Sequence, residues 1–230
     1  MKNITLYHGS TKVIEKPVFG LGNPKNDYGL GFYCTENIEL AKEWASTEHT
    51  DGFANCYEID IEGLNTLYLN KGPYHILNWL SVLLKNRTFV LTQGLPLEAK
   101  DYLLNNFLPE YEHYDIIIGY RADDSYFAFA NAFLNNTISL EQLQKAMYLG
   151  KLGEQVVLKS ERAFSMLTYK GSVAVDSSLY FPKRQMRDRQ ARAEFQDEKS
   201  AVTPANAVYM IDILRQKWTN DDAHLQPFVS

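Results

Sequence analysis

Three separated segments of the chain carry side chains that could bind and orient a small polar ligand. They are residues 7–10 (YHGS), residues 27–35 (DYGLGFYCT) and residues 154–158 (EQVVL). Histidine, serine and glutamine supply hydrogen-bonding groups, and glycine lets a ligand approach the backbone closely. Tyrosine combines an apolar face with a polar tip and therefore suits ligand pockets as well as cores. These residue types favour a site that binds by hydrogen bonding and ring stacking.

Several other catalytic motifs are absent from the sequence. The glycine-rich run that begins at Gly20 has Lys25 where a dinucleotide-binding fingerprint requires its third glycine. Gly150-Lys151 lacks the upstream glycine and the following hydroxyl residue of a phosphate-binding loop. The two cysteines form no CxxC pair and the five histidines are scattered, so we expect no metal site.

Composition predicts a folded protein that works in the cytoplasm without contacting a membrane. The chain has 230 residues, of which 45% are hydrophobic and 22% are charged, as in ordinary globular domains. The first ten residues lack the apolar core of a signal peptide, and no apolar run is long enough to cross a bilayer. The net charge of −5 argues against non-specific binding to nucleic acid but leaves a local basic patch open.

The segments with chemistry fall at the ends of predicted short strands. Alternating or β-branched runs predict strands over residues 4–7, 31–35, 54–61, 66–69, 114–119, 155–158 and 172–180. Apolar periodicity and capping residues predict helices after Thr35, from Pro73, after Pro96, and over 125–135, 139–149, 182–199 and 204–218. Short strands separated by long helical insertions indicate an α+β fold rather than a doubly wound sheet. We expect a catalytic domain over 1–180 and a C-terminal helical extension over 181–230, packed on the same domain.

Taken together, the three segments resemble the ADP-ribosyltransferase superfamily in its diphtheria-toxin and poly(ADP-ribose)-polymerase-like branch. There, His-Gly-Ser/Thr ends the first core strand, Gly-x-Gly-aromatic-Tyr begins the second, and an acid or its substitute lies on a late strand. The resemblance covers about residues 4–168 and is greatest to a bacterial toxin-like family with the Ala122-Asp123-Asp124 element. It implies a split β-sandwich core and NAD+ as the substrate.

The resemblance implies roles for several residues of the first two segments. His8 would bind a ribose hydroxyl of the adenosine half, and Gly9 and Ser10 would bind the nicotinamide carboxamide. Tyr33 would stack on the cationic nicotinamide ring and act with His8 in catalysis. Tyr28 would close the other side of the pocket, and Gly31 and Phe32 are the other two binding residues predicted in these segments. Without the companion motifs, His8 and Tyr33 would be interpreted as ordinary structural residues.

Gln155 replaces the usual acid on the late strand. Neighbouring strand residues point to opposite faces, so only one of Glu154 and Gln155 can face the pocket. Alignment with the family strand favours Gln155 as the catalytic residue, and Glu154 would require a slip of one residue. Glutamine carries no charge, which favours transfer of a single ADP-ribose over polymer elongation.

The segment at 121–124 offers further charged groups. Arg121 could pair with the NAD+ diphosphate. Asp123 could line the binding site, and Asp124 could supply the anion that Gln155 lacks or deprotonate the acceptor. Adjacent aspartates also occur as plain turn residues, and that alternative stays open.

Five cations lie between Lys183 and Arg192. They fit either a solvated helix face or a surface that docks an acidic partner, such as an antitoxin, a target protein or RNA.

These observations predict an NAD+-dependent mono-ADP-ribosyltransferase that modifies a protein or a nucleic acid. The resemblance implies a toxin of a toxin–antitoxin or phage-defence system. Two alternatives stay open: an NAD+ glycohydrolase, and an inactive protein that binds NAD+ or a partner.

Overall fold

A computed structural model describes residues 2–122, 124–151 and 153–228, without the side chains of residues 124, 125, 150 and 227. Its strands form two sheets, which with the surrounding helices give the predicted α+β class. The strands are β1 (Asn3–Ser10), β2 (Phe32–Cys34), β3 (Gly52–Asp60), β4 (Thr66–Tyr68), β5 (Ile116–Tyr120), β6 (Glu154–Leu158) and β7 (Thr168–Val175). The helices are α1 (Ile38–Ala45), α2 (Ile76–Asn86), α3 (Leu95–Asn106), α4 (Asp124–Leu134), α5 (Leu140–Ala146), α6 (Glu161–Ser165), α7 (Ser177–Ser200) and α8 (Met210–Gln216).

Each sheet has a simple strand order. The first is β1-β3-β7, with antiparallel pairing throughout. The second is β2-β6-β5-β4, in which only the β4–β5 pair is parallel. The two sheets are joined where Tyr7 and Thr35 exchange backbone hydrogen bonds of 2.8 and 2.9 Å. This contact places the end of β1 beside β2.

Period-2 alternation divides the apolar residues of the second sheet between two cores. Ile116 and Ile118 of β5 pack in a cluster with Leu6 and Tyr57 of the first sheet. Ile117 points the other way, into a larger cluster built from the helices. Both faces of this sheet are therefore covered, which explains its continuous apolar sequence.

The C-terminal helices pack against the rest of the chain. Phe195 of α7 and Ile213 of α8 are buried in the larger core. Helix α7 also contacts α1, α4 and α5. It begins at Ser177, so the domain boundary predicted at residue 181 falls within this helix. Among the described residues, no helix has both the length and the apolar character needed to cross a membrane.

Several predicted element boundaries are wrong, for local reasons. Asn37, not Thr35, caps α1, because Thr35 is occupied in the pairing with Tyr7. Helix α2 begins after His75 rather than at Pro73. The extended segment predicted over 172–180 ends at Val175, because the Asp176 side chain caps α7. The last predicted helix, 204–218, is confined to α8.

Three of the five cations in the basic stretch form ion pairs within the chain. Lys183 lies 3.9 Å from Glu39, Arg187 forms a 2.7 Å ion pair with Glu43, and Arg192 forms a 2.9 Å ion pair with Asp188. Glu39 and Glu43 belong to α1, so two of these pairs fasten α7 to α1. Arg184 and Arg189 are exposed, and docking of an acidic partner on this stretch stays a prediction.

We expect Gly52→Ala to destabilise the fold. A Cβ atom at position 52 would lie 2.1 Å from the Ala45 carbonyl oxygen at the end of α1. Relieving such a contact should lower the free energy of unfolding, measured by urea titration, by about 1–3 kcal/mol. Gly22→Ala is the matched control, because its nearest contact is 3.1 Å in an exposed loop. Equal losses in the two variants would contradict this packing.

Candidate functional site

One cavity of about 210 Å³ gathers residues from all three sequence segments. It opens between the end of β1, the loop before β2, helix α1 and the start of β6. Its lining residues are His8, Gly9, Asn26, Asp27, Tyr33, Trp44, Arg87, Arg121, Ala122 and Gln155. The sheet junction at Tyr7 and Thr35 produces this convergence, since it sets the first two segments side by side.

His8 is held in a defined orientation and protonation state. Its Nδ1 lies 2.7 Å from the backbone oxygen of Tyr33, and its ring stacks on Phe32 with centroids 4.4 Å apart. A carbonyl oxygen only accepts hydrogen bonds, so Nδ1 must carry the proton. Burial lowers the pKa of His8, and the hydrogen bond to Tyr33 opposes that shift. A neutral imidazole in this tautomer keeps Nε2 as an acceptor.

Gly9 permits helix α1 to cross the end of β1 at close range. A Cβ atom at position 9 would lie 2.1 Å from the Ala41 carbonyl oxygen and 2.8 Å from the Ala45 nitrogen. This close packing brings Trp44 of α1 to the cavity wall. Only glycine fits here, so helix packing already accounts for this residue.

Tyr33 fixes the loop that precedes β2. Its hydroxyl donates a 2.6 Å hydrogen bond to the Gly29 oxygen and accepts a 3.0 Å hydrogen bond from the Tyr28 backbone nitrogen. Burial raises the pKa of Tyr33 well above its usual value, so the phenol stays neutral. The ring is half-buried at the cavity wall.

A buried carboxylate and a buried amide form the floor of the cavity. Asp27 and Gln155 are 4% and 5% exposed. Asp27 Oδ2 accepts hydrogen bonds from Gln155 Nε2 at 3.1 Å and from the Ala122 amide at 3.0 Å. Arg87 lies 3.5 Å from Oδ1. Burial raises the pKa of Asp27, and the Ala122 amide and Arg87 partly oppose that shift.

Two oxygen atoms of this pair accept no hydrogen bond from the described residues. They are Asp27 Oδ1 and Gln155 Oε1, both buried. Buried acceptors are normally satisfied, so such a pair beside a cavity indicates a ligand that brings donors or positive charge.

Two arginines add positive charge at the same cavity. The Arg121 guanidinium lies over the Trp44 ring, 3.5 Å from its centroid. The Arg87 guanidinium lies 4.6 Å from the centroid of Phe127. Both side chains are oriented by aromatic faces, which suits recognition of an anionic group.

Four predicted binding residues do not line this cavity. The prediction for Tyr28 is wrong: it is fully buried, donates to the Tyr120 oxygen and accepts from Trp79, because its ring completes the core. Phe32 faces the inter-sheet core and only supports the His8 ring. Ser10 turns away to Lys12. Gly31 packs against Val157, which a Cβ atom would approach to 2.7 Å.

The three acidic candidates from the sequence do not provide a described carboxylate at this cavity. Asp123 lies outside the described residues, and Asp124 begins α4 with its side chain undescribed. Glu154 faces away from Gln155, accepts a hydrogen bond from Asn70 Nδ2 and lines a different cavity. Among the described residues, Asp27 is therefore the only carboxylate at the cavity.

Sequence reasoning missed four lining residues: Asn26, Asp27, Trp44 and Arg87. Asp27 opens the second segment, so its place in that motif was a usable signal. Arg87 caps the end of α2, far from every motif, and no pattern in the sequence indicated it.

The model of one protein family, described as a protein of unknown function (DUF3990), matches residues 4–169. This match spans more than two thirds of the chain, so the protein belongs to that family. No curated protein and no solved structure matches the chain significantly.

We expect the stability of the wild type relative to Asp27→Asn to fall as pH rises. The folded-state pKa of Asp27 is raised, so the folded protein holds this proton more tightly than the unfolded chain does. The stabilisation is complete below the unfolded pKa, about 3.9, and is lost as pH rises through the folded pKa. An asparagine side chain at position 27 can still accept the hydrogen bond from the Ala122 amide, but it has no group that titrates in this pH range.

Urea titrations of both proteins from about pH 4 to pH 8 measure this difference. Asp101→Asn, which removes an exposed carboxylate on α3, is the control. A wild type that gains stability over Asp27→Asn as pH rises would contradict the buried environment of Asp27.

Proposed function

We propose that this member of the DUF3990 family cleaves NAD+ and transfers ADP-ribose to a macromolecular acceptor. The proposal includes an ADP-ribosyltransferase-like arrangement of the two sheets. The observation that carries it is the buried Asp27–Gln155 pair, which lines the same cavity as His8 and Tyr33 and whose Oδ1 and Oε1 atoms accept no hydrogen bond from the described residues.

The chemistry requires stabilised positive charge rather than a general acid. The bond between ribose C1 and the nicotinamide nitrogen breaks, and its electron pair leaves with the now neutral base. The sugar passes through an oxocarbenium-like state, as in glycoside hydrolysis. An acceptor nucleophile then bonds to C1 and releases its proton to solvent or a base.

Asp27 and Gln155 would each contribute a different interaction to the stabilisation of the oxocarbenium-like sugar. The Gln155 carbonyl oxygen would accept a hydrogen bond from a ribose hydroxyl. Asp27 would supply the negative charge that glutamine lacks, a role that the sequence analysis had suggested for Asp124. A cationic ring or sugar beside Asp27 lowers the pKa of its carboxyl and favours the ionised form when substrate binds.

The remaining lining residues fit the rest of NAD+. A cavity of about 210 Å³ is smaller than the roughly 300–1,000 Å³ that encloses a drug-sized ligand. It would hold the nicotinamide and its ribose beside Tyr33, with the diphosphate at Arg87 and Arg121. The His8 ring would remain as an acceptor for a ribose hydroxyl.

Asp27→Asn and Gln155→Ala should lower the rate of NAD+ cleavage about 10²–10³-fold, the usual cost of removing one electrostatic contact to a transition state. The assay follows NAD+ labelled in the ADP-ribose half, incubated with cell lysate. Glu58→Gln, an exposed change on β3, is the control with unaltered turnover. Label on macromolecules supports transfer, and free ADP-ribose alone supports a glycohydrolase. Full activity of both cavity variants would contradict the proposed site.

We also propose that the protein acts as a bacterial toxin. Expression of the wild type should slow bacterial growth, and His8→Ala, Tyr33→Ala and Gln155→Ala should relieve the defect. Protein levels must be matched by immunoblot. Equal growth of all four strains would contradict the toxin role.

A further inference from the structure

A second and larger cavity lies next to the first. It has a volume of about 640 Å³, within the range of sites that enclose a ligand. We call it the Asn70 cavity, after one of its polar lining residues: Asn70, Lys71, Tyr120, Tyr148, Lys151 and Glu154. Tyr120 directly precedes Arg121, and Glu154 directly precedes Gln155. Both cavities therefore lie where β5 ends and β6 begins.

The Asn70 cavity contains an unsatisfied polar group. Asn70 is 8% exposed and donates through Nδ2 to the Glu154 carboxylate. Its Oδ1 is buried and accepts no hydrogen bond from the described residues. An orphan amide oxygen beside a carboxylate suits a ligand edge that presents neighbouring N–H donors.

The other lining groups select a planar, anionic ligand. The hydroxyls of Tyr120 and Tyr148 lie 3.0 Å apart, and their rings form an edge-to-face pair. Lys71 and Lys151 supply positive charge. An amino-bearing nucleobase offers the donor edge and the flat ring, and its phosphate offers the negative charge.

A groove that a single nucleotide would leave empty adjoins the cavity at Lys71. This tyrosine groove, of about 570 Å³, shares Lys71 with the Asn70 cavity and is also lined by Lys2, Tyr68, Tyr74 and Tyr114. Lys2 and Lys71 lie 6.0 and 5.7 Å from the centroid of the Tyr68 ring. Aromatic rings alternating with cations form the usual platform for single-stranded nucleic acid.

We infer that the Asn70 cavity and the tyrosine groove bind a single-stranded nucleic acid, with one amino-bearing base in the cavity. That this strand accepts ADP-ribose rests on the proposed function, whereas the binding of the strand does not depend on that function. The local lysines bind the phosphates despite the net charge of −5, because they lie together on one surface.

Fluorescence anisotropy of the full chain with labelled single-stranded RNA and DNA of about 12 nucleotides, without NAD+, tests the binding. Tyr74→Ala should raise Kd at least about fivefold, the smallest loss expected from one stacked base. Lys71→Ala should reduce the slope of log K against log salt by about 0.7. Lys170→Ala, on the exposed pair with Glu58, is the matched control and should bind like the wild type. Circular dichroism confirms that each variant is folded.

The outcomes separate this inference from the proposed function. No binding to either strand, or wild-type binding by both groove variants, overturns the inference. In parallel reactions with labelled NAD+, label on protein without strand binding supports the proposed function and overturns the inference. Strand binding without NAD+ cleavage supports the inference and contradicts the proposed function.

Discussion

The exchange of two backbone hydrogen bonds between Tyr7 and Thr35 sets the geometry of one side of the site. It is the point at which the two sheets meet, and it sets the end of β1 against β2. His8 follows directly and is anchored on the Tyr33 carbonyl. Gly9 comes next and admits helix α1, which carries Trp44. The junction thus orients four lining residues, because each is joined to it by a short strand or helical segment. They are His8, Gly9, Tyr33 and Trp44.

The cavity floor shows a conflict between stability and chemistry. A carboxylate that is 4% exposed has lost most of its hydration, and its raised pKa expresses that cost. The Ala122 amide, Gln155 and Arg87 offset part of it. A neutral residue would be less costly in a purely structural role. Buried negative charge beside Gln155 Oε1, an acceptor without a hydrogen-bond partner among the described residues, is the arrangement that the proposed cationic transition state would require.

The C-terminal helices are part of the same body. Glu43 is 3% exposed and receives a two-point ion pair from Arg187 of α7, at 2.7 and 2.8 Å. Glu43 immediately precedes Trp44, so α7 supports the helix that forms one wall of the cavity. This helix lies beyond residues 4–169, the part that matches the family model. The support of the wall therefore comes from a segment outside that region.

The sequence by itself determined the α+β class, most strands, and the three segments that converge on the cavity. Alternation of side chains along a strand also separated Gln155 from Glu154, because that rule depends only on local geometry. It did not determine Tyr28, whose ring fills the core, or Arg87, which reaches the cavity from the end of α2. The pairing of Asp27 with Gln155 joins residues 128 positions apart. Only tertiary structure decides such contacts, because they depend on how sheets and helices pack and not on the pattern within any one element.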